Sequence, residues 1–178
     1  MKRGAADILD LFSGTPDTVV RSVDPKIRPD ALPSRSHLLA ITGKIAALSH
    51  IVKLSDEDTA WLHPGAELDT VIDHDFGLAA SVVAITLGAA GCLVASRSAR
   101  VTRCWAPVDV VDTIGAGVAF MPGLLHVVHA LTLTDSLRFR NRLAADLTAM
   151  ATGASESARI AVSRAGSNPP RCSSSGHG

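Results

Sequence analysis

The segment Val110–Phe120, VVDTIGAGVAF, sets a glycine turn between a β-branched run and a stretch suited to a helix. Gly115 and Gly117 permit positive φ and close approach of a ligand to the backbone. At a helix start, their N–H groups and the helix dipole suit a phosphate or a developing negative charge. Two other phosphate cradles are excluded. A dinucleotide fingerprint needs a third glycine where the chain has Phe120, and a P-loop needs an earlier glycine and a hydroxyl that the GKI of Gly43–Ile45 lacks. On these residues alone, a plain structural turn remains an open alternative. His126 and His129 stand i,i+3, a spacing that can serve a metal, but the apolar run around them holds no carboxylate and predicts packed or capping histidines. The DHDF of Asp73–Phe76 predicts a solvated helix end. Trp61 and Trp105 are expected in core or edge packing, and no aromatic platform for nucleic acid is formed.

The elements that must position the turn alternate along the chain. Residues 1–14 predict an amphipathic helix, since Asp7 and Asp10 interrupt an apolar run too polar for a signal peptide. Residues 19–24 predict a strand, closed by Pro25 and Pro29. A helix is expected over 34–48 with Ser34 as N-cap, a strand over 50–55, and a helix from Ser55 with acids in its first turn. Residues 81–88 form an apolar run typical of a strand buried on both faces, and 91–107 predict a hairpin around Arg97–Arg100. Three helices are expected over 115–130, 134–150 and 153–162, then a disordered Pro/Ser/Gly tail over 167–178. Strands alternating with helices predict an α/β fold with a largely parallel sheet, whose ligands sit at the strands' carboxyl ends. The chain has 178 residues, 47% of them apolar, and a formal net charge of zero, which fits one globular domain and no bulk attraction to nucleic acid or anionic membrane. Cys92, Cys104 and Cys172 are an odd number without CxxC spacing, so free thiols in small buried or tail positions and a cytoplasmic setting are expected.

The same turn, with its flanks, resembles the C-terminal signature of the PfkB (ribokinase-like) carbohydrate kinases, close to D-T-x-G-A-G-D-A-F, and most nearly that of the fructokinase branch. Four other segments are similar in order and spacing: VDPKIRPDALP to D-P-N-x-R-P, VKLSDEDTAWLHPG to the segment bearing N-x-x-E, ITLGAAGCLVASR to the T-L-G-x-x-G hairpin, and ARIAVSRAGSNPP to the closing helix and turn. The resemblance implies a ribokinase-like three-layer sandwich, with residues 1–166 as the C-terminal portion of such a kinase and the N-terminal part and lid absent. It implies phosphoryl transfer from ATP, with Mg2+ on the phosphates, to a sugar hydroxyl. By position, Gly115, Ala116 and Gly117 would form the anion hole, while Thr86, Gly88, Gly91 and Ser155 would face the nucleotide. Asp24 and Arg28 would lie on the substrate side. Ser55 and Asp58 would stand near the metal and phosphates, and Asp112 would match an aspartate that helps hold a monovalent cation in some members.

Two residues depart from the pattern. The family's general base, the aspartate after G-A-G, is Val118 here, and an isopropyl group accepts no proton. General-base catalysis contributes about 10²- to 10⁴-fold, so activity is expected to be weak or lost. Pro122 would remove one helical hydrogen bond and press on the carbonyl of residue 118. Two alternatives to a feeble sugar kinase therefore stand: a non-enzymatic nucleotide-binding or interaction module, self-associating or completed by another chain, and the product of a decayed gene.

Overall fold

Why the chain forms layers is visible in the two-residue alternation of its strands. The computed structural model describes residues 2–16, 18–28, 34–105, 115–131, 133, 139 and 142–163. Five strands are ordered β1 (Ser22–Val23), β2 (Ile51–Ser55), β3 (Val82–Thr86), β4 (Cys92–Ala95) and β5 (Arg100–Arg103) across one sheet. β1, β2 and β3 pair in parallel, and β4 and β5 continue the sheet as an antiparallel hairpin. Ile51, Val82, Ala84, Cys92 and Val94 face one side, where they meet Phe120 and Leu124 of α5 (Ala116–Ala130) and Leu147, Met150 and Ala154 of α6 (Ala144–Val162). Val52, Leu54, Val83, Ile85 and Ala95 face the other, against α2 (Arg35–Ala46), α3 (Asp56–Leu62) and α4 (Leu68–Leu78). This is a three-layer α/β sandwich with the sheet in the middle. The first helix, α1 (Lys2–Gly14), leaves Ile8 and Leu11 exposed.

Most expected elements stand where the sequence placed them. All five residues of β3 are buried, as a strand covered on both faces requires. Ser34 caps α2 by accepting from the His37 N–H at 3.2 Å. The first strand is shorter than expected, two residues instead of six, because the chain turns away at Asp24 toward the site. The break expected between 150 and 153 is absent: α6 runs unbroken through Thr152 and Gly153. Tertiary packing explains why glycine is retained there. A Cβ on Gly123 would lie 2.6 Å from the Ser157 Cβ and 2.8 Å from the Gly153 carbonyl, so α5 and α6 meet almost backbone to backbone. His126 and His129 are exposed on α5, not packed; His129 lies in its last turn, where a cationic side chain suits the dipole. Cys92 is buried as expected but Cys104 is exposed, and Cys172, like the 167–178 tail, lies outside the described residues.

The DHDF segment corrects another expectation. Asp73 and His74 face solvent, but Asp75 and Phe76 are buried, because they share the α4 face that carries Ile72 into the core. Asp75 is 5% exposed, its Oδ2 has no partner among the described atoms, and its Oδ1 lies 3.4 Å from the His74 ring nitrogen. Burial pushes its carboxyl above the ordinary range, with His74 pulling the other way. A raised carboxyl pKa means that folding opposes the ionised form. The penalty is absent below the ordinary carboxylate pKa and grows as pH rises through the folded one. Asp75→Asn is therefore expected to stabilise the fold near neutrality by on the order of 1 kcal/mol, and to give no gain at about pH 3, below the ordinary carboxylate pKa. Urea unfolding of both proteins at the two pH values checks this; an equal gain at both would contradict it.

Candidate active site

The carboxyl ends of the parallel strands and the N-terminus of α5 converge on one region, the place where open α/β sheets hold ligands. Gly115 caps α5 in a left-handed conformation, φ 99°, which favours glycine. Among the described residues no side chain caps the helix and no acid stands in its first turn, so no acceptor side chain among them meets its leading N–H groups. Ala116 and Gly117 follow as the first helical residues. Val118 comes third and is 52% exposed, so its methyl groups point away from the core. The helix continues through Pro122, whose side is exposed while its neighbours Met121 and Gly123 are buried.

On the sheet side, Lys53 is the residue that sequence reasoning missed. It sits mid-strand on β2 and is 3% exposed, pointing to the α5 face between Ile51 and Ser55. Its Nζ lies 3.3 Å from Asp24 Oδ1 and 3.6 Å from where a Cβ of Gly117 would stand. The signal was available: a single lysine inside HIVKLS interrupts a strand otherwise apolar enough to be wholly buried. Burial pushes the Asp24 carboxyl up while Lys53 pulls it down. Asp24 also lines, with Arg28, an open groove of about 410 Å3 between α1, α2 and the segment after β1. In that segment Lys26 adopts φ 47°, a left-handed conformation that asparagine adopts more readily than lysine. This is the position of the asparagine in D-P-N-x-R.

Ser55 and Asp58 form a reciprocal capping box at the start of α3. Ser55 Oγ accepts from the Asp58 N–H at 3.0 Å, and Asp58 Oδ2 accepts from the Ser55 N–H at 2.9 Å. Asp58 Oδ1 takes the Ile27 N–H at 2.9 Å, which pins the segment after β1 to α3. Thr86 ends β3 beside Ser55, and Gly88 begins a short 3₁₀ turn closed by the Leu87 N–H to Gly91 carbonyl bond of 2.9 Å. Asp56 Oδ2 lies 3.7 Å from the Cβ position of Gly88. Trp105 donates its indole N–H to the Gly88 carbonyl and sets its ring edge-on to Phe120, centroids 6.3 Å apart. Thus one tryptophan joins the hairpin turn to α5, a role beyond the edge packing expected of it. Ser155 lies deeper, buried on α6 with its Oγ 3.7 Å from the Cys92 Sγ. Asp112 lies outside the described residues.

The region therefore brings Asp24, Lys53, Ser55, Thr86 and Gly115–Gly117 to one end of the sheet, with Gly88 and Gly91 on its hairpin side. The model of the pfkB family of carbohydrate kinases matches residues 18–171. The chain belongs to this family. Among pfkB-family relatives, it is 39% identical over 106 residues to a fructokinase of Rhizobium leguminosarum bv. trifolii, covering 60% of this chain and 32% of the relative. A Vibrio cholerae fructokinase, crystallised with fructose, ADP and potassium ion, superposes with a TM-score of 0.67 at 25% identity, over 82% of this chain and 45% of that one. A fructokinase of Xylella fastidiosa with bound ATP shares the fold at TM-score 0.79 and 23% identity, over 92% of this chain and 52% of that one. This pfkB-family chain thus spans about a third to a half of the length of these proteins.

The oxygen donors present suit magnesium better than a softer metal. No group of three His, Cys, Asp or Glu among the described residues could cage an ion. Mg2+ keeps several waters and usually binds through one or two carboxylates and substrate phosphates, and Asp56 and Asp58 at the start of α3 are carboxylates of that kind. No helix among the described residues is long and apolar enough to cross a membrane.

Proposed function

We propose that the chain carries the phosphate-handling part of a sugar kinase site, with phosphoryl transfer to a fructose-like hydroxyl weak or lost. The observation that carries this reading is the start of α5 at Gly115–Gly117, where a left-handed glycine leads the helix and no side-chain cap or first-turn acid stands among the described residues, beside an exposed Val118. Backbone N–H groups of Gly115, Ala116 and Gly117 would hold the charge that builds on the transferring phosphoryl group. Thr86, Gly88 and Gly91 would border the phosphates and nucleotide from the hairpin side, with Ser155 behind them. Asp24 and Arg28 would face the sugar. Mg2+ would enter on ATP, near Ser55 and the Asp56–Asp58 carboxylates, and supplies charge neutralisation that makes transfer possible. Asp58, already holding two backbone N–H groups, would act chiefly by fixing the loop. A monovalent cation at Asp112 remains part of the proposal, as does a cytoplasmic setting.

Thermal unfolding with Mg-ATP tests the reading. Ligand that binds the folded state alone stabilises it, by about 2.7 kcal/mol at a hundred times Kd. A clear rise in Tm at millimolar Mg-ATP is expected, and no rise would remove nucleotide binding from the proposal.

One observation favours a second reading. Among the described residues β1 has a neighbouring strand on one side alone, and Ile8 and Leu11 lie exposed on the adjoining α1. Unpaired strand edges and apolar patches are where other chains add. Under this reading the chain binds nucleotide without turnover until a second copy or a different chain pairs with β1. Sedimentation with and without Mg-ATP separates the two readings.

A further inference from the structure

Buried lysines are rare unless something negative compensates them. Among the described residues the Lys53 ammonium donates to Asp24 Oδ1 alone, at 3.3 Å, longer than the roughly 2.7–2.9 Å of a strong charge-assisted bond. Asp24 is itself burdened by burial and by the Asp58 charge nearby. The ammonium also points the wrong way for an ordinary structural pair. It lies against Gly117 at the start of α5, where the helix dipole is positive and disfavours a cation. Room for it comes from Ala84, its register partner on β3, whose methyl group leaves that face of the sheet low. A buried cation and a helix start with no side-chain cap among the described residues thus converge on one spot at the carboxyl edge of the sheet, with the Asp24 carboxylate beside the cation. Such a spot is completed by an anion.

Resting on the nucleotide reading above, we propose that Lys53 is a phosphate-binding residue, its ammonium contacting the terminal phosphates of a nucleoside triphosphate seated on the Gly115–Gly117 turn. Asp24 holds the ammonium in place while the site is empty and yields part of it when the phosphates arrive. The pair then acts as a parked charge, with Asp24 as the positioning residue and Lys53 as the contact.

Removing one partner of a buried pair can unfold a protein, so the test includes a variant in which both charges are removed together. Binding of Mg-ATP, adenosine and inorganic tripolyphosphate is measured by calorimetry for the wild type, Asp24→Asn, Lys53→Arg and the double variant Lys53→Met/Asp24→Asn. The double variant is expected to lose about tenfold or more in affinity for Mg-ATP and tripolyphosphate, a charge-assisted bond's worth of about 1.5–3 kcal/mol, with adenosine unchanged. Asp24→Asn alone should bind both phosphate ligands at least as tightly as the wild type, because it frees the ammonium. Lys53→Arg should retain most of the affinity. A structural pair would instead weaken all three ligands together in Asp24→Asn and in the double variant. Unchanged Mg-ATP affinity in the double variant overturns the role of Lys53 and leaves nucleotide binding standing. A wild type that binds neither Mg-ATP nor tripolyphosphate overturns both.

Discussion

Val118→Asp is expected to raise ATP-dependent phosphorylation of fructose by about 10²- to 10⁴-fold over the unsubstituted chain, the usual worth of a positioned general base. The argument is local. Val118 is the third residue of α5 and half exposed, so a carboxylate there needs no repacking of the core. An acid in the first helical turn also gains about 0.3–1 kcal/mol from the dipole, so the substitution should not cost stability. Val118→Asn provides the control, since it matches aspartate in shape and polarity without accepting a proton. Coupled-enzyme assay of all three proteins decides the matter: equal rates would remove Val118 as the reason for feeble chemistry.

Gly91→Ala should be the most damaging single methyl in the described part of the chain. Gly91 holds φ 114° and ψ −135°, a region reserved almost wholly for glycine. A Cβ there would stand 2.9 Å from the Arg103 carbonyl carbon and the Cys104 Cα, backbone atoms at and just past the end of the facing strand, which cannot rotate aside. Dihedral strain costs about 1–3 kcal/mol and the overlap about 1–3 kcal/mol more, enough to open the β4–β5 hairpin or unfold a marginal chain. Gly77→Ala gives a matched contrast: it lies on the exposed face of α4 with nothing within 4 Å of the added methyl, and helix propensity predicts a gain approaching 1 kcal/mol. Circular dichroism during urea unfolding measures both. A midpoint for Gly91→Ala as high as the parent's would refute the stated geometry.

The layers were legible because burial obeys period: the unbroken run at Val82–Thr86 and the hairpin flanking Arg97–Arg100 announced themselves. α4 was seen only as an end. Its N-cap, Glu67, makes no side-chain cap, and its C-cap is Ala79 at φ 112° in place of glycine, so both of its punctuation marks are missing. Gly153 read as a break because propensity is local, whereas the Gly123 contact that overrides it comes from thirty positions away in sequence. The glycine turn and its valine were visible from residue types and from family resemblance. Lys53 was marked only as a lone lysine in an apolar strand; its place at the site was hidden, because nothing in a one-dimensional pattern says which face of β2 meets the start of α5. The depth of Ser155 behind Cys92 was hidden for the same reason.

The glycine-to-glycine contact between α5 and α6 has a mechanical consequence. With the two backbones in touch at Gly123 and Gly153 and no long side chains to slide over one another, the helices translate and tilt together. A shift at the leading end of α5 would therefore carry α6 with it rather than slide past it.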